Sequence, residues 1–384
     1  MLIVNVTIGQ SMKTKYTEIQ VLRAIAIIYV LIEHGIRVFF RDSHTQQFLT
    51  ERLFAFWGGV DIFFAIAGYL LYRSVISLKH KNLVASDIII VFWLKRAWRL
   101  WPIAWGLALF SFIVVTLFGY SSLNTDYFLS VASSWISIIL NIQNLMVYQF
   151  HNGMGFDSHY YEVYWSLSLE EQLYMIFALV IILFKPRAGV IVCSFVIFLQ
   201  LFFHRSALGS DLAWYIRSDS FCWGVLLGYF AENKDRFNKF EPVFLKNKKI
   251  AIPFFIFILL VIASPQLMYA CNFYVSVMAL ASGTLVYLAS YDAGYIPFSG
   301  VIKQLLIKVG DFSYSLYLVH MPIMLVIYHY MPEGSRHGAR GAIAFALFVV
   351  ISILVSWVIY NRFECKFKER GRVHADNFLK KRHS

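Results

Sequence analysis

Residues 19–40 read IQVLRAIAIIYVLIEHGIRVFF, and this stretch decides the fold. It is long enough to cross a hydrocarbon core as a helix, which takes about 20 apolar residues. It nevertheless carries Arg23 and His34, eleven positions apart. At about 100° per residue the two come round to within roughly 20° of one face, about 16 Å apart along the axis. An imidazole and a guanidinium inside a bilayer helix are costly, so each is a candidate functional group. A polar line down one face of a membrane helix reads as the wall of a substrate path.

The rest of the 384-residue chain agrees with a membrane setting. It is 59% hydrophobic and 18% aromatic. Charged residues make up 15%, well below the ~25% usual in soluble domains. Formal net charge is +12, which in such a chain reads as anchoring on the cytoplasmic side, not as nucleic-acid binding. Cys193, Cys222, Cys271 and Cys365 lie apart from one another without metal-type spacing and read as apolar filling. No metal ligand set is apparent. The first apolar run follows Lys13 and Lys15 and is too long for a cleavable signal segment. Met12, before Lys13, is a second candidate start, which would make residues 1–11 an upstream extension.

Hydropathy places candidate spans at 19–40, 53–74, 100–118, 165–184, 189–204, 214–231, 250–266, 271–290, 313–330 and 341–360. Segment 128–148, LSVASSWISIILNIQNLMVYQ, is apolar but rich in Ser, Asn and Gln. If it does not cross, the basic clusters at Lys79/Lys81, Lys95–Arg99, Lys185/Arg187, Lys234–Lys249, Lys303/Lys308 and the C-terminal tail share one side. The expected fold is therefore all-α and polytopic. It has ten transmembrane helices, both termini cytoplasmic, and 128–148 as a re-entrant or interfacial piece. Residues 1–16 form a cytoplasmic N-terminus, 17–366 the membrane domain and 367–384 a basic tail. On this topology Arg23 lies toward the cytoplasm and His34 toward the outside.

Further groups gather round that axis. His34 can act as general base near neutral pH. Glu33 points about 100° away from it, toward a neighbouring helix. Arg96 and Arg99, in RAWRLWP, are three apart on one face and suit phosphate, which guanidinium binds bidentately. Pro102 fits a first helical turn. In WSLSLEEQLY (165–174), Ser166, Glu170 and Tyr174 share a face and Glu171 is turned away. Glu170, expected at the level of His34, could orient and charge its imidazole. Asp61, in GGVDIFFAIAGYLLY, either pairs with an arginine or lines the path with Trp165, Ser166 and Tyr174. Gly58, Gly59 and Gly68 suit close helix approach. His320, in SYSLYLVHMP, reads as a structural histidine bonding across helices, and Tyr360, Arg362 and Glu364 as a helix-end cap.

Taken in order, these pieces resemble acyltransferase family 3, integral-membrane O-acyltransferases that modify bacterial surface carbohydrates. VLRAIAIIYVLIEH is similar to the family's first-helix pattern of arginine, ten residues and histidine. GGVDIFFAIAGYLL resembles its second-helix signature, RAWR its R-x-x-R motif, and WSLSLE its next block. IRSDSFCWGVLLG and GDFSYSLYLVHMP resemble two later blocks. The chain departs from the pattern at Gln20, where an aspartate is frequent, at Ala67, where a serine is frequent, and at Glu33 beside the histidine. Gln20 leaves the local partner of Arg23 in question.

The resemblance implies an O-acyltransferase, most often an acetyltransferase, of the bacterial cytoplasmic (inner) membrane. It implies acetyl-CoA or another acyl-CoA as co-substrate, with no permanently bound cofactor. The acceptor would be a carbohydrate or lipid-linked glycan on the outer side. His34 and Glu170 would be catalytic and Arg23, Arg96 and Arg99 would bind the donor. The expectation is a stand-alone member without a fused extracytoplasmic domain, and a homodimer is compatible with it. The alternative is a transporter or flippase with Arg23, His34 and Glu170 as a proton or ion relay. No internal repeat of the kind many transporters show is visible.

Overall fold

The computed structural model describes residues 16–383, apart from 42–43, 45–47, 49–53, 119–124, 155–160, 207–210, 234–240, 265–266 and 333–335. The candidate start at Met12 lies outside the described residues. Helices build the chain, and no strand occurs among the described residues. In order they are α1 (Thr17–Phe39), α2 (Gly59–Lys79), α3 (Ala85–Phe118), α4 (Thr125–Ile139), α5 (Gln143–His151), α6 (Tyr164–Leu183), α7 (Pro186–Gln200) and α8 (Leu212–Tyr215). There follow α9 (Asp219–Glu232), α10 (Lys248–Ile262), α11 (Leu267–Ala270), α12 (Tyr274–Ser290), α13 (Gly300–Asp311), α14 (Ser313–His329), α15 (Gly338–Ile359) and α16 (Cys365–His383).

Each of the ten hydropathic segments contains a helix among its described residues. Among the described residues, five helices are long and apolar enough to cross a membrane, or six if α13 and α14, bent by 73° at their junction, form one span. α7, α9, α10 and α12 have only 14 to 17 residues, short of the ~20 that a straight crossing needs. Segment 128–148 is not one helix. It breaks between α4 and α5, where Asn141 adopts φ 55°. Its polar residues are spent internally: Asn144 Nδ2 donates to the Tyr215 carbonyl at 3.1 Å, and Gln172 Nε2 to the Asn141 carbonyl at 2.7 Å. Such pairing is what non-helical backbone in an apolar setting requires.

Pro102 is not in a first turn. α3 begins at Ala85, so RAWR and Pro102 lie in its interior. Proline removes one rung of the helical ladder; two residues before it, the Leu100 carbonyl takes the Tyr314 hydroxyl at 2.9 Å. Hydropathy started this helix too late because Lys95, Arg96 and Arg99 look like a flank.

Glycines set the closest helix contacts. α9 lies along α2, with Gly68 against the Phe221 carbonyl and Gly224 against the Ala65 carbonyl. Gly59 faces the Ala26 carbonyl of α1, and Gly58 faces Ile262. Small residues let backbones approach where packing, not water exclusion, drives association. Glu33 also has a structural partner set. It accepts from the Phe56 amide at 2.8 Å and from Arg37 Nε at 2.5 Å, holding the turn that leads into α2.

Adding one methyl at Gly68 or Gly224 would meet backbone, which cannot swing aside. We expect Gly68→Ala and Gly224→Ala each to destabilise by about 1–3 kcal/mol. Gly106→Ala, where nothing lies within 4 Å, should be neutral or stabilising. Thermal unfolding of the three variants in one detergent checks this ordering.

Candidate active site

α1, α2, α3, α6, α14 and α16 enclose a cavity of about 870 Å³, the size range of cofactor and ligand sites. One wall is apolar and comes from α2 (Val60, Phe63, Phe64, Ala67, Leu71). The other walls are basic. Arg23 of α1, Arg99 of α3 and Lys368 of α16 all line the cavity. Their charges act on one another. Arg23 Nε and Arg99 Nε have no hydrogen-bond partner. Among the described residues no carboxylate pairs with any of the three within 4 Å. Gln20, three residues before Arg23, supplies no charge, so the departure noted in the sequence leaves Arg23 without a local counter-ion. Glu364 lies within the field of all three; it is buried, with its Oε2 accepting from Ser315 Oγ at 2.6 Å. It sits in a π-helical turn, Tyr360–Glu364, a distortion frequent at functional sites.

Arg96 differs from Arg99 although both line the cavity. Its Nη2 donates to Glu170 Oε1 at 3.0 Å and its Nε to Glu171 Oε1 at 3.2 Å. Its guanidinium lies over the Tyr174 ring, whose hydroxyl donates to Glu170 at 2.6 Å. Two carboxylates therefore hold Arg96, and Glu171 is not turned away as the α6 face had suggested. Nor does Glu170 stand beside His34. It belongs to the arginine end of the cavity, within reach of the Arg23 charge. The reason is depth: Ser166, one turn earlier on α6, already occupies the level next to the histidines.

His34 Nδ1 lies 2.7 Å from His320 Nε2, with the rings nearly parallel. His320 is fully buried, and its Nδ1 has no hydrogen-bond partner among the described residues. The expected cross-helix bond of His320 thus exists, and its partner is His34. Neither histidine lines the cavity. Tyr317 stands between: its ring is 5.8 Å from His320, and it lines the cavity floor with Ser166. Its hydroxyl donates to the Val163 carbonyl at 3.0 Å and meets Ser166 Oγ at 2.7 Å.

Asp61 and Trp165 fall outside the cavity wall. Asp61 is fully buried, accepting from Arg217 Nη2 at 3.2 Å and from Ser220 Oγ at 2.8 Å. Trp165 packs edge-on to Phe64 and Tyr215 with Arg217 over its ring. A second buried pair, Arg205–Asp219 at 2.8 Å, adjoins them. Of the cysteines, Cys193 and Cys222 are buried, whereas Cys365 lines the cavity. Sequence reading missed Tyr317 and Lys368 as cavity residues. The pattern Tyr317–x–x–His320 was the available signal for the first.

Asp61→Ala should behave as a stability defect, since it orphans the buried Arg217; breaking such pairs costs about 3–5 kcal/mol. Folded yield should fall, while activity per folded molecule stays near wild type. A path residue would show the reverse, and size-exclusion yield measured alongside specific activity separates the two.

A family model described as an acyltransferase domain matches residues 16–361. O-acetyltransferase OatA of Staphylococcus aureus strain MRSA252 is 26% identical over 386 residues, covering 94% of this chain and 58% of that protein. OatA of strain NCTC 8325 is 26% identical over 373 residues, covering 91% and 57%. The chain thus spans a little over half the length of these relatives. No solved structure matches.

Proposed function

The chain belongs to acyltransferase family 3, and from that premise we propose that it is a membrane O-acetyltransferase taking its acyl group from acyl-CoA. The observation that carries this reading is the cavity itself. Three cations that no carboxylate pairs within 4 Å among the described residues face a cofactor-sized space whose other wall is apolar. That combination suits a ligand with a polyphosphate head and a long, slender arm. Arg23, Arg99 and Lys368 receive phosphate, each charge-assisted bond being roughly twice as strong as a neutral one. Arg96, already held by Glu170 and Glu171, braces α3 against α6 and keeps Arg99 turned to the cavity.

The arm runs along α2 toward Ser166 and Tyr317, bringing the thioester to the floor. In this reading the His320 ring carries its proton on Nδ1. Its Nε2 then accepts from His34 Nδ1–H, the tautomer whose basic nitrogen is His34 Nε2. The acceptor hydroxyl gives its proton to that nitrogen as its oxygen attacks the thioester carbonyl. Collapse of the tetrahedral intermediate breaks the C–S bond, and the imidazolium returns the proton to the departing thiolate. A transient acyl-histidine is the two-step variant of the same chemistry. Tyr317 must turn aside for the acyl group to meet His34.

The ten-span topology with both termini in the cytoplasm belongs to this reading. It puts the basic mouth on the side where acyl-CoA is made and the histidines toward the outer face of a bacterial inner membrane. The acceptor there is a carbohydrate or lipid-linked glycan hydroxyl.

Thiol release from acetyl-CoA by purified protein, with surface glycan as acceptor, is the test. His34→Ala should lower kcat by about 10²–10⁴-fold with the fold intact. His320→Ala should lower it less and move the acid limb of the pH–rate profile, and His320→Gln should restore part of the loss. An unmoved profile would make His320 a packing residue. Arg99→Ala should raise the KM for acetyl-CoA at least tenfold with kcat little changed. Flux of a glycan without thioester consumption would replace the enzyme by a transporter.

A further inference from the structure

α16 begins after the residues the family model covers, yet it forms part of the cavity wall. It is pinned along α3 at several points. Gly371 packs on Trp98 Cβ, Phe367 and His374 flank the Trp98 ring, Ala375 is fully buried, and Arg382 Nε reaches Asp87 at 3.4 Å. Cys365, Lys368, Glu369 and Arg372 line the cavity; their spacing of three and four places them on one helical stripe.

The basic groups divide into two clusters. The deeper holds Arg23, Arg99 and Lys368, each within the others' field, beside Glu170 and Tyr174. The second holds Lys81, Lys95 and Arg372, with Lys95 in the field of the other two and all three lining the same cavity. Its carboxylates are Asp376, near Lys95, and Glu369, which accepts from Arg372 Nη2 at 2.6 Å. Three cations against two acids leave this cluster net positive as well. One helix, α16, contributes to both: Lys368 to the deeper, Arg372 one turn on to the other.

We propose that α16 completes a two-point anion site, and that the Lys81–Lys95–Arg372 cluster binds the 3′-phosphate of the donor's ribose. The proposal rests on the acyl-CoA reading above. Acyl-CoA carries two anionic groups, a diphosphate joined to the arm and a phosphomonoester on the ribose. The arm must run inward toward Ser166 and Tyr317, so the diphosphate falls to Arg23, Arg99 and Lys368. The phosphomonoester, farther from the arm, then falls to the outer cluster. Lys368 has no carboxylate partner within 4 Å among the described residues, so the face α16 shows to the cavity is built for an anion.

The test compares acetyl-CoA with acetyl-3′-dephospho-CoA, by equilibrium binding to full-length protein in nanodiscs of zwitterionic lipid. Wild type should bind the first about 10- to 100-fold more tightly. Arg372→Ala, and more so Lys95→Ala with Arg372→Ala, should bring the ratio of the two Kd values close to one, and Arg372→Lys should restore part of it. Lys368→Ala should weaken both donors alike and leave the ratio standing. Thermal unfolding of each variant registers any loss of fold, and the ratio is read only within one folded protein. No binding of either thioester by wild type would overturn the donor reading itself. Binding of both with equal affinity, or a ratio untouched by Arg372→Ala, would overturn the 3′-phosphate assignment alone. Loss of discrimination on adding anionic lipid, with the lipid competing for the site, would reassign the outer cluster to phosphate headgroups and also overturn it.

Discussion

Holding like charges together inside an apolar helical frame is the constraint on which this architecture turns. Arg23, Arg99 and Lys368 repel one another, and an interior location removes the water that would otherwise screen them. Such an arrangement persists only if the surrounding helices are fixed by other means. The glycine contacts between α2 and α9, the Arg217–Asp61 and Arg205–Asp219 pairs, and the α16–α3 packing supply that fixing. Each lies away from the cavity charges or turns a different face to them. The buried Arg217–Asp61 and Arg205–Asp219 pairs thus lie apart from the Arg23, Arg99 and Lys368 charges.

Arg96 shows how the separation is made. It is three residues from Arg99 on one helix, yet it bridges Glu170 and Glu171 while Arg99 points to the cavity. Two carboxylates on one guanidinium leave the local sum negative, which draws the neighbouring arginine cluster inward. Glu364 does the same from the other side, in a turn whose extra residue lets its carboxylate face inward from the end of α15. The positive field in the cavity is thus bounded by acids at its margins and left open at its centre.

The helical class and the position of every apolar segment were legible because hydropathy depends only on local composition. Arg23 was picked out by its cost in an apolar helix, Arg96 and Arg99 by their spacing in RAWR, and Ser166, Glu170 and Tyr174 by their shared face; all six line the cavity. Depth was not legible. A one-dimensional pattern gives the face a side chain occupies but not the level it meets on a neighbouring helix, so Glu170 was assigned to His34 and lies with Arg96. Asp61 was open between a path and an ion pair, since its partner Arg217 is 156 positions away and no spacing rule connects them. Lys368 was hidden for another reason: a basic, hydrophilic tail reads as solvated, and only the packing of Trp98 against Gly371 shows that it is docked.

The pairing of His34 with another imidazole, instead of with Glu170, has a chemical consequence. A carboxylate orienting a histidine stabilises imidazolium strongly, which makes a base easy to charge but slow to give its proton up. A buried neutral imidazole offers an acceptor of fixed direction without a full negative charge. On the proposed reading His34 is then oriented without a full negative charge beside it. Charging both rings at 2.7 Å would set two cations side by side away from water. On the proposed reading the pair therefore holds one added proton, on His34. A thioester needs little more from its base, since the leaving thiolate is already a good one, and the placing of the acyl group beyond Tyr317 becomes the demanding step.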